Sequence, residues 1–395
     1  MIYIFVLFLL LCLSLRYDIN RKTKYRDEWY FVMLIIFILI AGLRWRLCVD
    51  TPNYINRFYH WTPTLDEFSF ADYPIGEDPF YVLLNSIVKT FGGRFYVVQL
   101  IEASFVNILV FNYIKRYSKY LFTCLFFYAI TVYVGLCMET MRASFSIVIC
   151  MYANDYILDK KWIKGYLLFI LALMFHAQTI VMFVLPLFFF LRLNRIGIVC
   201  LIGAFVLGLL MNMILGDYVS LLEMGEVIDD KVSSYSESES FGGAKGGIGY
   251  FLGFKLPTLT YPLISLIFLK QWIPNSKLLK LEPFVMLGVV FSIVRLNFEM
   301  AYRYTSYFSV IFVIFYSEFF VRIVHRAKHV ELKVACLRAL IYFSPFFFLV
   351  GSARYVRLPT IYPYSSVIER KIDRNREARY MKGNKATPPA NINEY

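Results

Sequence analysis

Apolar runs long enough to cross a bilayer recur from one end of this chain to the other. In hydrocarbon every backbone polar group must be satisfied internally, so such runs fold as helices. That feature leaves an all-α, multi-pass integral membrane protein as the fold class. Composition agrees. Of 395 residues, 59% are apolar and 17% charged, against about 45–50% and about 25% in soluble domains. No soluble domain interrupts the pattern. The expectation is one polytopic membrane domain over 1–353 and a basic tail over 354–395. The seven cysteines form no CxxC pair and mostly lie in apolar runs, so they read as small core residues. The first fifteen residues lack the basic start and the small-residue cleavage site of a signal peptide.

Cytoplasmic loops carry an excess of Lys and Arg. The first loop, RYDINRKTKYRDE, holds five basic residues, which places the N-terminus outside. Alternation then gives about twelve spans, near 1–15, 29–43, 95–114, 120–137, 143–158, 163–175, 179–191, 196–215, 250–269, 282–297, 304–321 and 335–352. Outer-face loops fall at 44–94 and 216–249. Within the first of these, PFYVLLNSIVKTFGG is short and amphipathic and belongs on the outer surface. The runs 163–175 and 179–191 are each short of a full crossing, roughly 20 Å of helix against a ~30 Å core. A hairpin with its tip in the outer half of the membrane keeps later basic loops inside; one long span would invert them. Twelve spans also leave the tail outside, against the charge of Arg370, Lys371, Arg374, Arg376 and Arg379.

In this topology, charges from distant parts of the chain gather at one depth on one face. Arg44 and Arg46 end the second span, and Arg142 opens MRASFSIVICMYANDYIL. His176 sits at the hairpin tip in LALMFHAQTIVMF. Arg295 and Arg303 flank an outer turn, and Arg354 and Arg357 follow the last span. Ionisable groups near lipid face a wet cavity or a partner. Arginine's planar fork matches phosphate oxygens, so the pattern suits an anion held at the outer leaflet. Each residue also has a structural reading. Arg44 and Arg46 fit helix-end anchors. Asp50 or Thr51 fits an N-cap ahead of Pro52. Arg295, Glu299 and Arg303 are spaced four apart, hence on one face of a helix, where they fit an ion cluster. Arg142 lies three residues after Glu139 and is placed to pair with it. His176 fits a core histidine, although Gln178 and Thr179 make its surroundings polar. The loop 216–249 is acidic and rich in Ser and Gly, which fits a lid or a linker. The chain has no Walker loop, zinc-ligand spacing, HExxH or GxSxG, and no paired, interrupted spans of a repeat-built transporter.

Five stretches occur in order: GLRWRLCVDTPNYINRFY; EDPFYVLLNSIVKTFGGRFYVVQLI ahead of YIKRYSKY; METMRASFSIVICMYANDYILDKKWIKGYLLFILALMFHAQT; MAYRYTSYF; and IYPYSS. Through them the chain resembles the bacterial Wzy/EpsG family of polysaccharide polymerases over most of its length. It departs from the common pattern at Val49, where Gly is usual, and at Ala143, where Gln is usual.

The resemblance implies a GT-C-like helical bundle and a membrane glycosyltransferase without a cofactor. The expected donor and acceptor are undecaprenyl-diphosphate-linked oligosaccharides, used at the outer face of the bacterial inner membrane. A chain-length regulator and a flippase of the same pathway are the expected partners, and nucleic acid is not. His176 is the candidate acceptor base. Arg142, Arg295 and Arg303 are candidates for stabilising the leaving diphosphate in place of a metal ion. Glu299 is a second base, or orients an arginine. The candidate substrate-binding residues are Arg44, Arg46, Asp50 and Tyr54. An O-antigen ligase, a lipid-linked oligosaccharide flippase and a structural scaffold of the export machinery stay open as alternatives.

Overall fold

A computed structural model of the chain describes residues 2–218, 255–298, 301–326, 360–371, 373 and 376. Among these residues every element is helical, apart from one antiparallel bridge between Arg44 and Ser366. The chain divides into two compact units, 1–186 with 321–395, and 187–320.

The first unit opens with α1 (Ile2–Leu13), which runs on in wide turns to Ile19. It continues through α2 (Arg26–Gly42), α3 (Thr51–Asn56), α4 (Pro79–Thr90), α5 (Phe95–Tyr117), α6 (Leu121–Thr131), α7 (Met141–Leu158) and α8 (Trp162–Phe175). Small residues let the helices approach closely, as is usual where lipid removes the hydrophobic drive between helices. A Cβ on Gly42 of α2 would lie 3.0 Å from Cα of Leu100 in α5, and one on Gly165 of α8 would lie 3.1 Å from the carbonyl oxygen of Ala153 in α7. The outward stripes are apolar. Phe31, Ile35 and Leu39 on α2, and Ile163, Leu167 and Ile170 on α8, are exposed at helical spacing, the pattern of a lipid-facing surface.

Three helical stretches, Ile2–Ile19, Phe95–Tyr117 and Tyr302–Arg326, are long and apolar enough to cross a membrane by length and composition. Four shorter apolar stretches accompany them: Leu121–Thr131, Trp162–Phe175, Ala177–Phe188 and Arg195–Leu210. The expected span at 335–352, the cations Arg354 and Arg357, and nearly all of the loop 216–249 lie outside the described residues.

The region 163–186 turns back on itself. His176 is extended (φ −158°, ψ 116°) and ends α8. The ring of Phe183 then packs on Phe169 and Tyr166, at 5.6 and 6.1 Å between centroids. The return arm is not the α-helix expected over 179–191. It is two 3₁₀ segments, Ala177–Phe183 and Leu185–Phe188. A 3₁₀ helix rises about 2 Å per residue, so it covers more depth per residue than an α-helix does.

The basic loops of the first unit meet at one end. Arg26 donates to the Lys119 carbonyl, Lys115 pairs with Asp27, Arg21 meets His325, and Arg322 lies over Tyr120. The tail segment lies beside the far end of α2. Trp45 N donates to Ser365 O at 2.8 Å, Val367 N to Leu43 O at 2.9 Å, and Cys48 N to Thr360 O at 3.1 Å. Residues 360–371 therefore share an end of the unit with 43–48.

The second unit holds α9 (Arg195–Tyr218), α10 (Leu256–Trp272), α11 (Glu282–Asn297), α12 (Tyr302–Thr305) and the first part of α13 (Ser309–Arg326). Buried Glu282 ties it together, accepting from Lys270 Nζ and Leu193 N, each at 2.7 Å, with Arg192 at 3.3 Å. Helix α11 ends at Asn297, and Phe298 is extended (φ −125°, ψ 93°) before α12 begins. Arg295 and Arg303 therefore lie on different helices. The expectation of one shared helix face fails because four-residue spacing aligns side chains only along a continuous helix.

Candidate functional site

The site begins with an Asp–Pro step. Pro79 occupies the first turn of α4, where its missing N–H costs nothing. Asp78 precedes it with a left-handed backbone (φ 56°, ψ 61°), and its side chain does not cap its own helix. The carboxylate instead faces the starts and ends of other helices. Arg142, in the first turn of α7, donates Nη1–H to Asp78 Oδ2 at 2.6 Å. Ala177 N–H, just past α8, donates to Asp78 Oδ1 at 3.0 Å. His176 Nδ1 lies 3.7 Å from the same Oδ1. That is too long for a hydrogen bond, but it sets the Nδ1 edge of the ring toward the carboxylate. Burial by itself raises the Asp78 carboxyl, but the His176, Arg142 and Ala177 contacts outweigh it and hold it below the usual carboxylate value.

The carboxylate is buried while its partners are partly open. Side-chain exposure is 3% for Asp78, 18% for His176 and 32% for Arg142. Arg142 Nε has no hydrogen-bond partner. The guanidinium lies over the Tyr54 ring, 5.7 Å from its centroid. Burial pushes the Tyr54 phenol up to about 12, against the lowering effect of the Arg142 charge, so it is a hydrogen-bond donor at neutral pH. Below, an apolar cluster of Trp45, Phe58, Tyr81, Phe95, Met141 and Phe145 floors the site, with Tyr54 and Phe175 packed against it. Ser146 of α7 and Thr179 share a hydrogen bond, pinning the return arm next to His176.

The match to the EpsG family covers residues 28–366. The chain belongs to the EpsG family. No curated protein and no solved structure matches it. Within this EpsG member, Arg142, His176, Asp78 and Tyr54 all fall in the matched region, as do Arg44, Arg46, Asp50, Arg295 and Arg303. Membership carries a polysaccharide-polymerase type of function, glycosyltransferase-like, with lipid-linked saccharide substrates in a membrane.

The first-motif arginines of this EpsG chain do not join the cluster's open side. Arg44 is fully buried and donates to the Ala41 carbonyl at 2.5 Å. With the Gln99 amide oriented to satisfy its neighbours, Arg44 Nε donates to the Gln99 oxygen and the Gln99 amide donates to the Arg44 carbonyl, both at 3.3 Å. Buried Glu102, which accepts from Ser144 Oγ at 2.7 Å, lies within its electrostatic reach. Arg44 therefore braces α2, α5 and the tail, where the sequence reading had it snorkelling or holding substrate. Arg46 is also buried, with a left-handed backbone (φ 48°). Asp50 stands at the N-cap of α3 with Pro52 in its first turn, but its side chain makes no capping bond.

Arg142 pairs with Asp78, not with Glu139 as its spacing had offered. Arg295 is buried in the second unit, its guanidinium 5.3 Å from the Tyr302 ring centroid, and Arg303 sits in α12. Their assignment to catalysis rests on sequence alone, and Glu299 lies outside the described residues. Asp78 is the residue the sequence reading missed. Its signal was the acid directly before Pro79 in EDPFYV, a stretch singled out for its family pattern and not for its carboxylate. Among the described residues no group of three or more His, Cys, Asp or Glu is placed to hold a metal ion.

Proposed function

We propose that this protein polymerises a surface polysaccharide, transferring a growing glycan from one undecaprenyl-diphosphate carrier onto a lipid-linked repeat unit at the outer face of the bacterial inner membrane. The observation that carries the reading is the convergence of Asp78, Arg142 and His176 from three helices at one end of the bundle. Family membership supports the reaction type.

In this reading Asp78 orients the Nδ1 edge of His176, leaving Nε2 to take the proton of the acceptor hydroxyl. The acceptor oxygen bonds to the anomeric carbon of the donor as the bond from that carbon to the diphosphate oxygen breaks. The electron pair leaves on the diphosphate. Arg142 spends one donor on Asp78 and has others for the phosphate oxygens, where charge grows in the transition state. Paired with Asp78, Arg142 adds little net charge, so its part is directional: a fixed fork, not a general attraction for anions. A bundle of about twelve spans of the GT-C-like kind, with 43–48 and 360–371 outside, completes the proposal.

The test is gene deletion followed by gel analysis of surface polysaccharide. Loss of a polymerase leaves single capped repeats at the surface. Loss of a flippase leaves none, and an unchanged ladder overturns the reading.

A further inference from the structure

A second recess lies beside the Arg142 contact, on the neighbouring face of α3. Asn53, Asn56 and Arg57 follow one another at helical spacing, while Tyr54, turned about 100° away, meets Arg142. Those three residues, with Trp61, Thr62 and Tyr73, line a cavity of about 410 Å³, a size that suits a small ligand. We propose that this cavity is a subsite for a neutral saccharide ring of the lipid-linked substrate; the assignment rests on the polymerase reading above.

The chemistry of the wall selects the ligand. Two amides, each both donor and acceptor, suit a ligand rich in hydroxyls. Trp61 and Tyr73 supply flat apolar faces with a polar edge, which fits the C–H face of a sugar ring. Arg57 is paired with Glu77 at 2.8 Å, so the wall carries no net charge and suits a neutral ring better than an anion. That pair also ties the wall to the residue before Asp78, so the saccharide subsite and the reacting site are joined through one dipeptide. A helix that meets diphosphate chemistry on one face and a ring on the next holds both parts of a glycosyl diphosphate at once. Trp61 is 74% exposed, so it is available to a ligand and its removal leaves the fold unchanged.

The experiment titrates the purified full-length protein, in nanodiscs, with neutral oligosaccharides released by partial hydrolysis of the source strain's own surface polysaccharide. Calorimetry should show saturable binding to the wild type, roughly tenfold weaker binding in Asn56→Ala and Trp61→Ala, and near-normal binding in Trp61→Phe. All three variants should keep the wild-type melting temperature. Absence of binding by the wild type, or wild-type binding by both alanine variants, overturns the subsite. The same variants are expressed in the deletion strain to separate the two claims. If deletion abolishes polymer but both alanine variants restore it fully and bind normally, the subsite fails and the polymerase reading stands. If deletion leaves polymer unchanged, the polymerase reading fails and the inference falls with it.

Discussion

Arg142 Nη1 donates to Asp78 Oδ2 at 2.6 Å across 64 residues of sequence. The pair joins the first turn of α7 to the residue before α4, and the same carboxylate fixes the backbone at Ala177 beside His176. One buried acid thus sets the positions of the two side chains to which the proposed mechanism assigns the base and the phosphate fork.

Asp78→Asn should therefore cut polymer synthesis by about 10²-fold or more, since a small misplacement of reacting groups has that effect. Asn tolerates the left-handed backbone, so protein should still accumulate in the membrane. Arg142→Lys should fail similarly, because a point charge does not reproduce the fork. In vitro polymerisation, normalised to membrane-bound protein, is the measurement. Wild-type rates in both variants would remove the pair from the mechanism.

His176→Ala should stop transfer but leave binding of the lipid-linked donor nearly intact, because a general base contributes about 10²–10⁴ in rate, mostly in the transition state. His176→Gln should fail as well at normal abundance. A histidine needed only for packing should instead tolerate Gln better than Ala, with losses tracking protein level.

Acid should act through Asp78. Its folded-state value is depressed below the ordinary 3.8, so its stabilising contribution is fully present above that ordinary value. The contribution is lost as pH falls through the depressed one. The melting-temperature gap between wild type and Asp78→Asn should not narrow from neutral pH down to about 5 and should close only below about 3.9. Thermal melts of purified protein across that range check the sign. A gap that closes between pH 5 and 7 would contradict a depressed carboxyl.

Arg44→Ala should lower the amount of folded protein, by about 1–3 kcal/mol of stability, because it leaves the Ala41 carbonyl and the Gln99 side chain buried without their donor, with no separate catalytic defect. Polymer per molecule of surviving protein is the readout. Normal accumulation with lost polymer would return Arg44 to the substrate site.

A topology reporter fused in the loop 216–249 should read as outside, and one fused at 325–330 as cytoplasmic. The opposite result for both would make 163–191 a single crossing.

Much of this protein was legible in its sequence because the deciding forces are local. Apolar runs fixed the helical membrane class, since lipid offers the backbone no other partner. The surplus of Lys and Arg marked the loops that meet at one end, and the run 163–191 was too short for two full helices. His176 and Arg142 stood out as polar residues in apolar surroundings. Which partner each charge takes was not legible. Glu139 was three residues from Arg142, yet helix packing brought Asp78 to it. Arg44 looked like a helix-end anchor or a substrate-binding cation and is buried against α5 and the tail. Arg295 and Arg303 looked like one helix face until Phe298 broke the helix. Spacing along the chain ranks neighbours within an element, but contacts between elements depend on how the helices close on one another, and only the packed tertiary structure decides that.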